Sequence, residues 1–250
     1  MKKSRIILIL CVFAICVGGS GFKRDASRSL KVLTYNIANG RGVDGTTDYQ
    51  RIADVIIACN PDVAAIQELD SMTDRSNVFV LEEIAKLVNM NHTFRASLER
   101  RGGTFGIGVL SKEKPISSRA IPLPGRDEAR SLLMVEFQDY VFFATHLSQN
   151  GEDRLASVKL INEQIEAIQK PVIFGGDFNA TPSSPPMIEL RKSWTILNDT
   201  TGLTLPPVNP NRCLDYVLLR STHSAKVIGS RVIDTQAAQW HLPVFVEFEF

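Results

Sequence analysis

The chain lacks the features that would divide it or cross-link it. After about residue 30, no Pro/Gly/Ser-rich spacer, long charge run, low-complexity tract or internal repeat interrupts the succession of apolar segments. Outside the first 20 residues the only cysteines are Cys59 and Cys213, each in an apolar segment that suits either a buried thiol or one half of a single disulfide. With 44% apolar residues in the chain, we expect one domain, over residues 28–250, with a substantial core.

A strong excess of charge is also absent. The formal net charge is +1 at pH 7 and would become −2 on loss of residues 1–20, which include three basic residues and no acidic residue. Proteins that track along nucleic acid usually display a basic stripe. The composition therefore does not favour nucleic acid as a partner, although local basic patches remain at 95–101 and 126–130. Nothing in the sequence indicates an oligomeric state.

No apolar run reaches the roughly 20 residues that a membrane-spanning helix needs. The longest such stretch, 6–17, follows three basic residues and precedes the small residues 18–21. This arrangement predicts a secretory signal peptide at residues 1–20, and hence an exported protein, periplasmic or extracellular, without a stable membrane span after processing. An uncleaved N-terminal anchor is the competing interpretation.

Apolar periodicity predicts a mixture of helices and strands. The segment 47–50 has the spacing of a capping box and begins a helix that Asn60 ends; Asn77 is predicted to cap a second helix, and a third covers about 152 to 169. Because strands alone would leave the apolar stripes of these helices uncovered, we expect two packed sheets with helices outside. The predicted strands are 30–37, 62–67, 93–97, 106–111, 116–121, 131–137, 140–147, one from 172, 214–219, 226–233 and 243–250.

The most informative segment is 171–182, in which an apolar strand leads Asp177 and Asn179 into a Gly/Pro-rich loop. Residues two apart in a strand point to the same side, so both side chains can face one small ligand. A carboxylate and a carboxamide together suit a water molecule and a phosphoryl oxygen. The same residue types are also common in ordinary turns, so this segment alone does not decide between the two interpretations.

Further acids and imidazoles lie at or beside the ends of predicted strands: Glu68, His146, Asp215 and His241. Each alone has an ordinary structural explanation, such as a turn hydrogen bond or a buried imidazole. Together they provide hard oxygen ligands for a metal and two imidazoles that can donate protons to an anionic oxygen. The set therefore favours an active site.

Six short segments recur in the order seen in one known superfamily: TYNI at 34–37, QE at 67–68, THL at 145–147, GDFN at 176–179, LDYV at 214–217 and HLPV at 241–244. In these motifs the chain resembles the endonuclease/exonuclease/phosphatase superfamily, over essentially residues 30–250. The resemblance implies a four-layered α/β sandwich of two packed mixed β-sheets flanked by helices. It also implies a divalent-metal-dependent hydrolase that cleaves a phosphate mono- or diester by direct attack of water.

The resemblance further implies roles for individual residues. Asn36 and Glu68 correspond to the metal site, which suits Mg²⁺, with Mn²⁺ as an alternative. In the catalytic set, Asp177 would position or deprotonate the attacking water, and Asn179 would hold a phosphate oxygen. His146 and His241 would donate hydrogen bonds to the phosphate, and Asp215 would orient His241.

One position departs from the superfamily pattern. Trp240, immediately before His241, stands where these proteins usually have an aspartate. The loss of that charge leaves open an alternative function, a catalytically impaired member of the fold that binds a ligand without turnover; Asp234 is a candidate replacement for the missing acid. Arg130 suits either a phosphate contact or a surface charge.

Overall fold

The computed structural model describes residues 28–250, so the predicted signal peptide at 1–20 lies outside the described residues. Twelve strands form two sheets, which pack face to face. The strands are β1 Ser29–Asn36, β2 Val63–Ser71, β3 Asn91–Arg100, β4 Gly103–Ser111, β5 Ser117–Leu123, β6 Arg130–Glu136, β7 Val141–His146, β8 Val172–Asp177, β9 Trp194–Ile196, β10 Asp215–Arg220, β11 Lys226–Val232 and β12 Val244–Glu249. The first sheet has the order β11-β12-β1-β2-β4-β3, and the second has the order β5-β6-β7-β8-β10-β9.

Four helices cover the outer faces, together with a short 3₁₀ turn at Ala38–Gly40. Their bounds are α1 Tyr49–Cys59, α2 Val80–Val88, α3 Gly151–Ile165 and α4 Pro185–Leu190. The third helix ends earlier than the sequence predicted. Within residues 28–250 no helix is both long and apolar enough to cross a membrane.

Each sheet contains one parallel pair of neighbouring strands, and a helix connects each pair. β1 and β2 run parallel and are joined through α1, whereas β7 and β8 run parallel and are joined through α3. All other neighbouring strands are antiparallel. A helical crossover is the usual connection between parallel strands, because the chain must return to the same end of the sheet. The carboxyl ends of both pairs therefore become the natural places for ligand-binding side chains.

Alternating side chains divide the interior into three cores. One core lies between the sheets, and the other two lie between each sheet and its helices. In β1, Val32 faces the opposite sheet while Leu33 and Tyr35 face α1 and α2, as the period of two requires. The predicted four-layered α/β sandwich of two mixed sheets is confirmed.

The helix starts differ from two sequence predictions. Asp48, rather than Thr47, caps α1, because the Asp48 carboxylate accepts hydrogen bonds from the first backbone N–H groups of the helix. The prediction that Asn77 caps α2 is wrong. The N–H of Asn77 donates to the carbonyl of Thr73 in a turn, and α2 begins later, at Val80.

The two cysteines are free thiols in separate cores. Cys59 packs in the core beneath α1 and α2, and Cys213 packs in the core beneath α3 and α4. The disulfide alternative is therefore excluded.

Candidate active site

The polar strand ends of the second sheet lie side by side on one rung. Asp177, the last residue of β8, pairs with His146 of β7 on one side and with Asp215 of β10 on the other. The chain then continues from Asp177 into a loop in which Asn179 adopts a left-handed conformation, φ 48°. Sheet pairing alone therefore brings three of the predicted catalytic residues together.

The first sheet contributes Asn36 and Glu68. Asn36 ends β1, and Glu68 occupies a β-bulge in β2, where the pairing with β4 shifts between Gln67 and Leu69. The bulge holds Glu68 in the left-handed region, φ 61°, which costs a non-glycine residue about 1–3 kcal/mol. The sequence predicted Glu68 at the end of a strand, whereas β2 continues to Ser71.

Asn36 connects the two sheets. Its Nδ2 donates to Glu68 Oε1 at 2.9 Å and to Asp177 Oδ2 at 3.1 Å, while its Oδ1 accepts from the backbone N–H of Ala38 at 3.1 Å. The Ala38 contact and the two carboxylates define the orientation of the amide. Asn36 therefore presents its NH₂ group, and not its oxygen, to the carboxylates, which makes it an organiser of Glu68 and Asp177.

Asp177 is buried at the centre of the cluster. Its Oδ1 accepts from the backbone N–H of Asn179 at 2.9 Å, and the Nδ2 of Asn179 donates to the carbonyl of Leu147 at 2.9 Å. Its Oδ2 lies 3.3 Å from His146 Nε2 and 3.4 Å from His241 Nε2. One carboxylate oxygen thus faces both histidines as well as the Asn36 amide.

His241 lies between two carboxylates. Its Nδ1 is 2.8 Å from Asp215 Oδ2, and its other ring nitrogen faces Asp177. Burial alone would lower the pKa of His241, but Asp215 and then Asp177 more than offset it and raise the pKa to about 10. His241 is therefore a protonated imidazolium at neutral pH, and Asp215 fixes its orientation.

His146 has the opposite charge state. Burial lowers its pKa to about 3; the attraction of Asp177 opposes this shift only in part, and the positive charge of Arg130 adds to it. The 3.3 Å contact with Asp177 is therefore not an ion pair at neutral pH. Arg130 is itself only 8% exposed and pairs with Glu128 at 2.7 Å, so the surface-charge interpretation of Arg130 is wrong.

The cluster forms the floor of a cavity of about 760 Å³. The floor consists of Glu68, His146, Asp177, Asn179 and His241. One wall is mainly apolar and is formed by the 205–214 hairpin and the loop before β12; its residues are Leu205, Pro206, Arg212, Leu214 and Trp240. A second wall is mainly polar and is formed by α3 and the loops after β7 and β8; its residues are Gln149, Arg154, Ala180, Thr181 and Ser184. The sequence motifs identified the floor, but they did not single out the wall residues other than Trp240.

The chain resembles known proteins in both sequence and fold. The model of the Endonuclease/Exonuclease/phosphatase family matches residues 33–236, most of the chain. The chain belongs to the endonuclease/exonuclease/phosphatase family. Members of this family hydrolyse phosphate esters and are generally metal-dependent. No curated protein matches the chain by sequence.

Solved structures of other endonuclease/exonuclease/phosphatase proteins share the fold. A family protein from Beutenbergia cavernae is 23% identical with a TM-score of 0.75, over 89% of this chain and 72% of that one. A family protein from Bacteroides thetaiotaomicron is 16% identical with a TM-score of 0.74, over 90% of this chain and 99% of that one. A mannosyl-6-phosphatase from the same organism is 16% identical with a TM-score of 0.68, over 88% of this chain and 100% of that one.

The donor set of this endonuclease/exonuclease/phosphatase site fits a hard divalent cation near Glu68. Burial raises the pKa of Glu68, and although the Asn36 hydrogen bond lowers it, the nearby Asp177 charge raises it again. Two carboxylates thus share one amide beside the cavity, an arrangement that a cation would stabilise. Ligand atoms of Asp177, Asp215 and His241 also lie within 4.8 Å of one another, but His241 Nδ1 and Asp215 Oδ2 are already paired with each other at 2.8 Å.

The position that departs from the family motif faces the cavity. Trp240 lies on the apolar wall and is 50% exposed, whereas Asp234 is exposed and does not line the cavity. Asp234 therefore does not replace the missing aspartate.

Proposed function

We propose that the protein is a divalent-metal-dependent phosphoesterase that cleaves a phosphate mono- or diester by direct attack of water. The observation that carries this proposal is the convergence of the acids, amides and histidines from both sheets on the floor of one cavity. Such a cluster combines an anionic base, a cationic donor and hard oxygen ligands within one hydrogen-bonded network.

Glu68 would hold the cation, Mg²⁺ or alternatively Mn²⁺, with Asn36 fixing the Glu68 carboxylate. A bound divalent cation supplies charge neutralisation at a phosphoryl oxygen, which lowers the cost of bringing a nucleophile to an anionic ester. The Asn36 hydrogen bonds also hold Glu68 and Asp177 in a defined relative geometry, since both accept from the same nitrogen.

Asp177 is the proposed base for the attacking water. Its Oδ2 is the oxygen that the two imidazoles face, whereas its Oδ1 is held by the backbone N–H of Asn179. With the carboxylate orientation fixed in this way, a water near Oδ2 can lose its proton to Asp177 along one direction, which suits in-line attack. Asn179, at the rim of the same floor, would hold a non-bridging phosphate oxygen.

The two histidines would have different roles, one at the leaving oxygen and the other at the phosphate. His241, cationic and oriented by Asp215, would stabilise or protonate the leaving oxygen as the ester bond breaks. His146, neutral, would contribute a hydrogen bond to the phosphate without adding a second full charge. His146 is positioned by β7, and His241, in the loop before β12, is positioned by its contact with Asp215.

The test is hydrolysis of p-nitrophenyl phosphate and bis-p-nitrophenyl phosphate with Mg²⁺, with Mn²⁺ and with EDTA. We expect metal-dependent turnover that falls at least about 100-fold in Asp177→Asn. Asp234→Asn is the matched control, because it removes an exposed acid outside the cavity. Turnover that persists in EDTA or in Asp177→Asn would contradict the proposal.

Binding without turnover would instead favour the impaired ligand-binding alternative. In that case Trp240→Asp, which restores the usual acid, should produce a large gain in metal-dependent hydrolysis. If the wild type is active and Trp240→Asp changes little, this chain works without that acid.

We also propose that the protein is exported and that residues 1–20 are removed. The basic residues, apolar stretch and small residues at 1–21 support this proposal. Mass measurement of the mature chain from cell fractions tests it: a full-length mass in the cytoplasmic or membrane fraction would contradict it.

A further inference from the structure

Trp240 is a large apolar side chain held at the mouth of the cavity. Buried residues lie close to it in the chain: Ala238, two residues before, packs in the core beneath α1 and α2, and His241, the next residue, belongs to the cavity floor. The next residue, Leu242, donates its N–H to the carbonyl of Thr204 at 2.8 Å. The backbone on both sides of the half-exposed indole is therefore anchored.

The wall that contains Trp240 is suited to the face of a ring. Leu205, Pro206 and Leu214 also line the cavity, and the hydrogen bond from Leu242 to Thr204 brings their segment close to the loop that carries Trp240. Trp240 is the single aromatic side chain among the cavity-lining residues that the structure describes. The cavity therefore suits a ligand ring with one apolar face better than a flat ligand that stacks between two aromatic side chains.

The wall formed by α3 and the flanking loops is suited to hydroxyl groups. Gln149, Thr181 and Ser184 line it with hydrogen-bonding side chains. The guanidinium of Arg154 is fixed there, because its Nη1 donates to the backbone carbonyls of Ser148 at 3.0 Å and Gln149 at 2.7 Å. This wall therefore presents polar side chains, of which Arg154 and Ser184 are held by hydrogen bonds to the backbone, the latter through its Oγ to the carbonyl of Thr181 at 2.6 Å.

We propose that the substrate is a phosphate ester of a cyclic sugar, whose ring stacks on the indole of Trp240 while its hydroxyl groups meet the polar wall. This inference rests on the proposed phosphoesterase function and makes Trp240 a specificity-determining residue. A volume of about 760 Å³ lies in the range of small-molecule sites, about 300–1,000 Å³, and accommodates a monosaccharide phosphate. Trp240 and His241 are consecutive and both line the cavity. The ring would therefore belong to the leaving group, whose oxygen His241 would stabilise or protonate.

The test compares the binding of four probes by calorimetry in the Asp177→Asn background with Mg²⁺, so that no turnover is needed. The probes are glucose 6-phosphate, adenosine 5′-monophosphate, glycerol 3-phosphate and inorganic phosphate. We expect the hexose phosphate to bind about threefold to tenfold more tightly than the ring-less glycerol phosphate, the range of an aromatic stacking contact. Trp240→Ala should remove this preference, Trp240→Phe should retain most of it, and inorganic phosphate binding should stay the same in both.

Phe79→Ala is the matched control, because Phe79 is a similarly exposed aromatic side chain, 52% exposed, that does not line the cavity. Tryptophan fluorescence provides a second readout, since the chain contains only Trp194, which is 1% exposed, and Trp240. The hexose phosphate should change the emission of the protein, and Trp240→Phe should abolish that change.

The outcomes separate this inference from the proposed function. Equal affinity for hexose phosphate and glycerol phosphate, or equal loss of all probes in Trp240→Ala, would overturn the stacking role while leaving the phosphoesterase proposal intact. Tightest binding of adenosine monophosphate would overturn the sugar assignment in favour of a nucleobase. Failure of every phosphate probe to bind, together with no metal-dependent hydrolysis by the wild type, would overturn both proposals.

Discussion

The ion pair between His241 and Asp215 gives the sharpest prediction about the site. Asp215→Asn keeps the shape of the side chain but removes the negative charge 2.8 Å from His241 Nδ1. An opposite charge at such a distance shifts a pKa by about one to three, or about 1.4–4 kcal/mol in the protonation equilibrium. The pKa of His241, about 10 in the wild type, should fall by this amount, since Asp177 still supports the imidazolium while burial opposes it.

The assay is a pH titration of the imidazole resonances by NMR, which is practical because the chain has only four histidines. His241→Asn assigns the resonance by its disappearance, and Asp234→Asn serves as the control for loss of an exposed acid. A wild-type His241 that titrates near its ordinary value of 6.5, or one that Asp215→Asn leaves unchanged, would refute the electrostatic reasoning.

The same pair should appear in the pH dependence of stability. Because the folded pKa of His241 lies above its unfolded value, its contribution is fully present below about pH 6.5 and is lost as pH rises through about 10. The melting temperature of the wild type should fall across this window. In Asp215→Asn the loss should occur at lower pH and be smaller; identical profiles for the two proteins would contradict this account.

Four other changes test separate parts of the structure. Glu68→Gln should weaken Mn²⁺ binding at least about tenfold in calorimetry of EDTA-treated protein, because it removes the proposed ligand charge. Gly176→Ala should destabilise the protein by about 1–3 kcal/mol in urea unfolding, since an added Cβ would lie 2.5 Å from a backbone oxygen; a neutral effect would mean that the strands can separate. Asp48→Ala should cost about 1 kcal/mol in the same assay through loss of the α1 cap. Arg130→Met should raise the pKa of His146, because the Arg130 charge lowers it, and an unchanged NMR titration would exclude that coupling.

The floor of the site could be predicted from the sequence because its residues follow recognisable strands. Asp177 and His146 end apolar runs, and parallel strands joined by a helix bring such ends to one edge. The mixture of helices and strands was predictable for the same reason, whereas the four layers were implied by the resemblance to the endonuclease/exonuclease/phosphatase superfamily. Local patterns of this kind can be recognised without knowing which strands pair.

Other features depend on pairing and packing, which local patterns do not encode. Glu68 reaches the cavity through a bulge opposite Gly106, and nothing in an apolar run ending at Gln67 reveals that the strand continues past a left-handed residue. The sequence left Arg130 open between a phosphate contact and a surface charge, whereas β6 places it in the interior with Glu128 as its partner. The positions of Glu68 and Arg130 therefore depend on contacts that cannot be read from the neighbouring sequence.

The opposite charge states of the two histidines arise from their other neighbours. His146 and His241 lie at nearly equal distances, 3.3 and 3.4 Å, from the same Asp177 oxygen, so Asp177 cannot distinguish them. The distinction comes from Asp215, which stabilises the imidazolium of His241, and from Arg130, which opposes a charge on His146. The cationic His241 is next to Trp240 in the chain, and both residues line the cavity. The charge of His241 and the indole that we propose stacks on the ligand ring belong to consecutive residues. This geometry links stabilisation of the leaving group to its recognition.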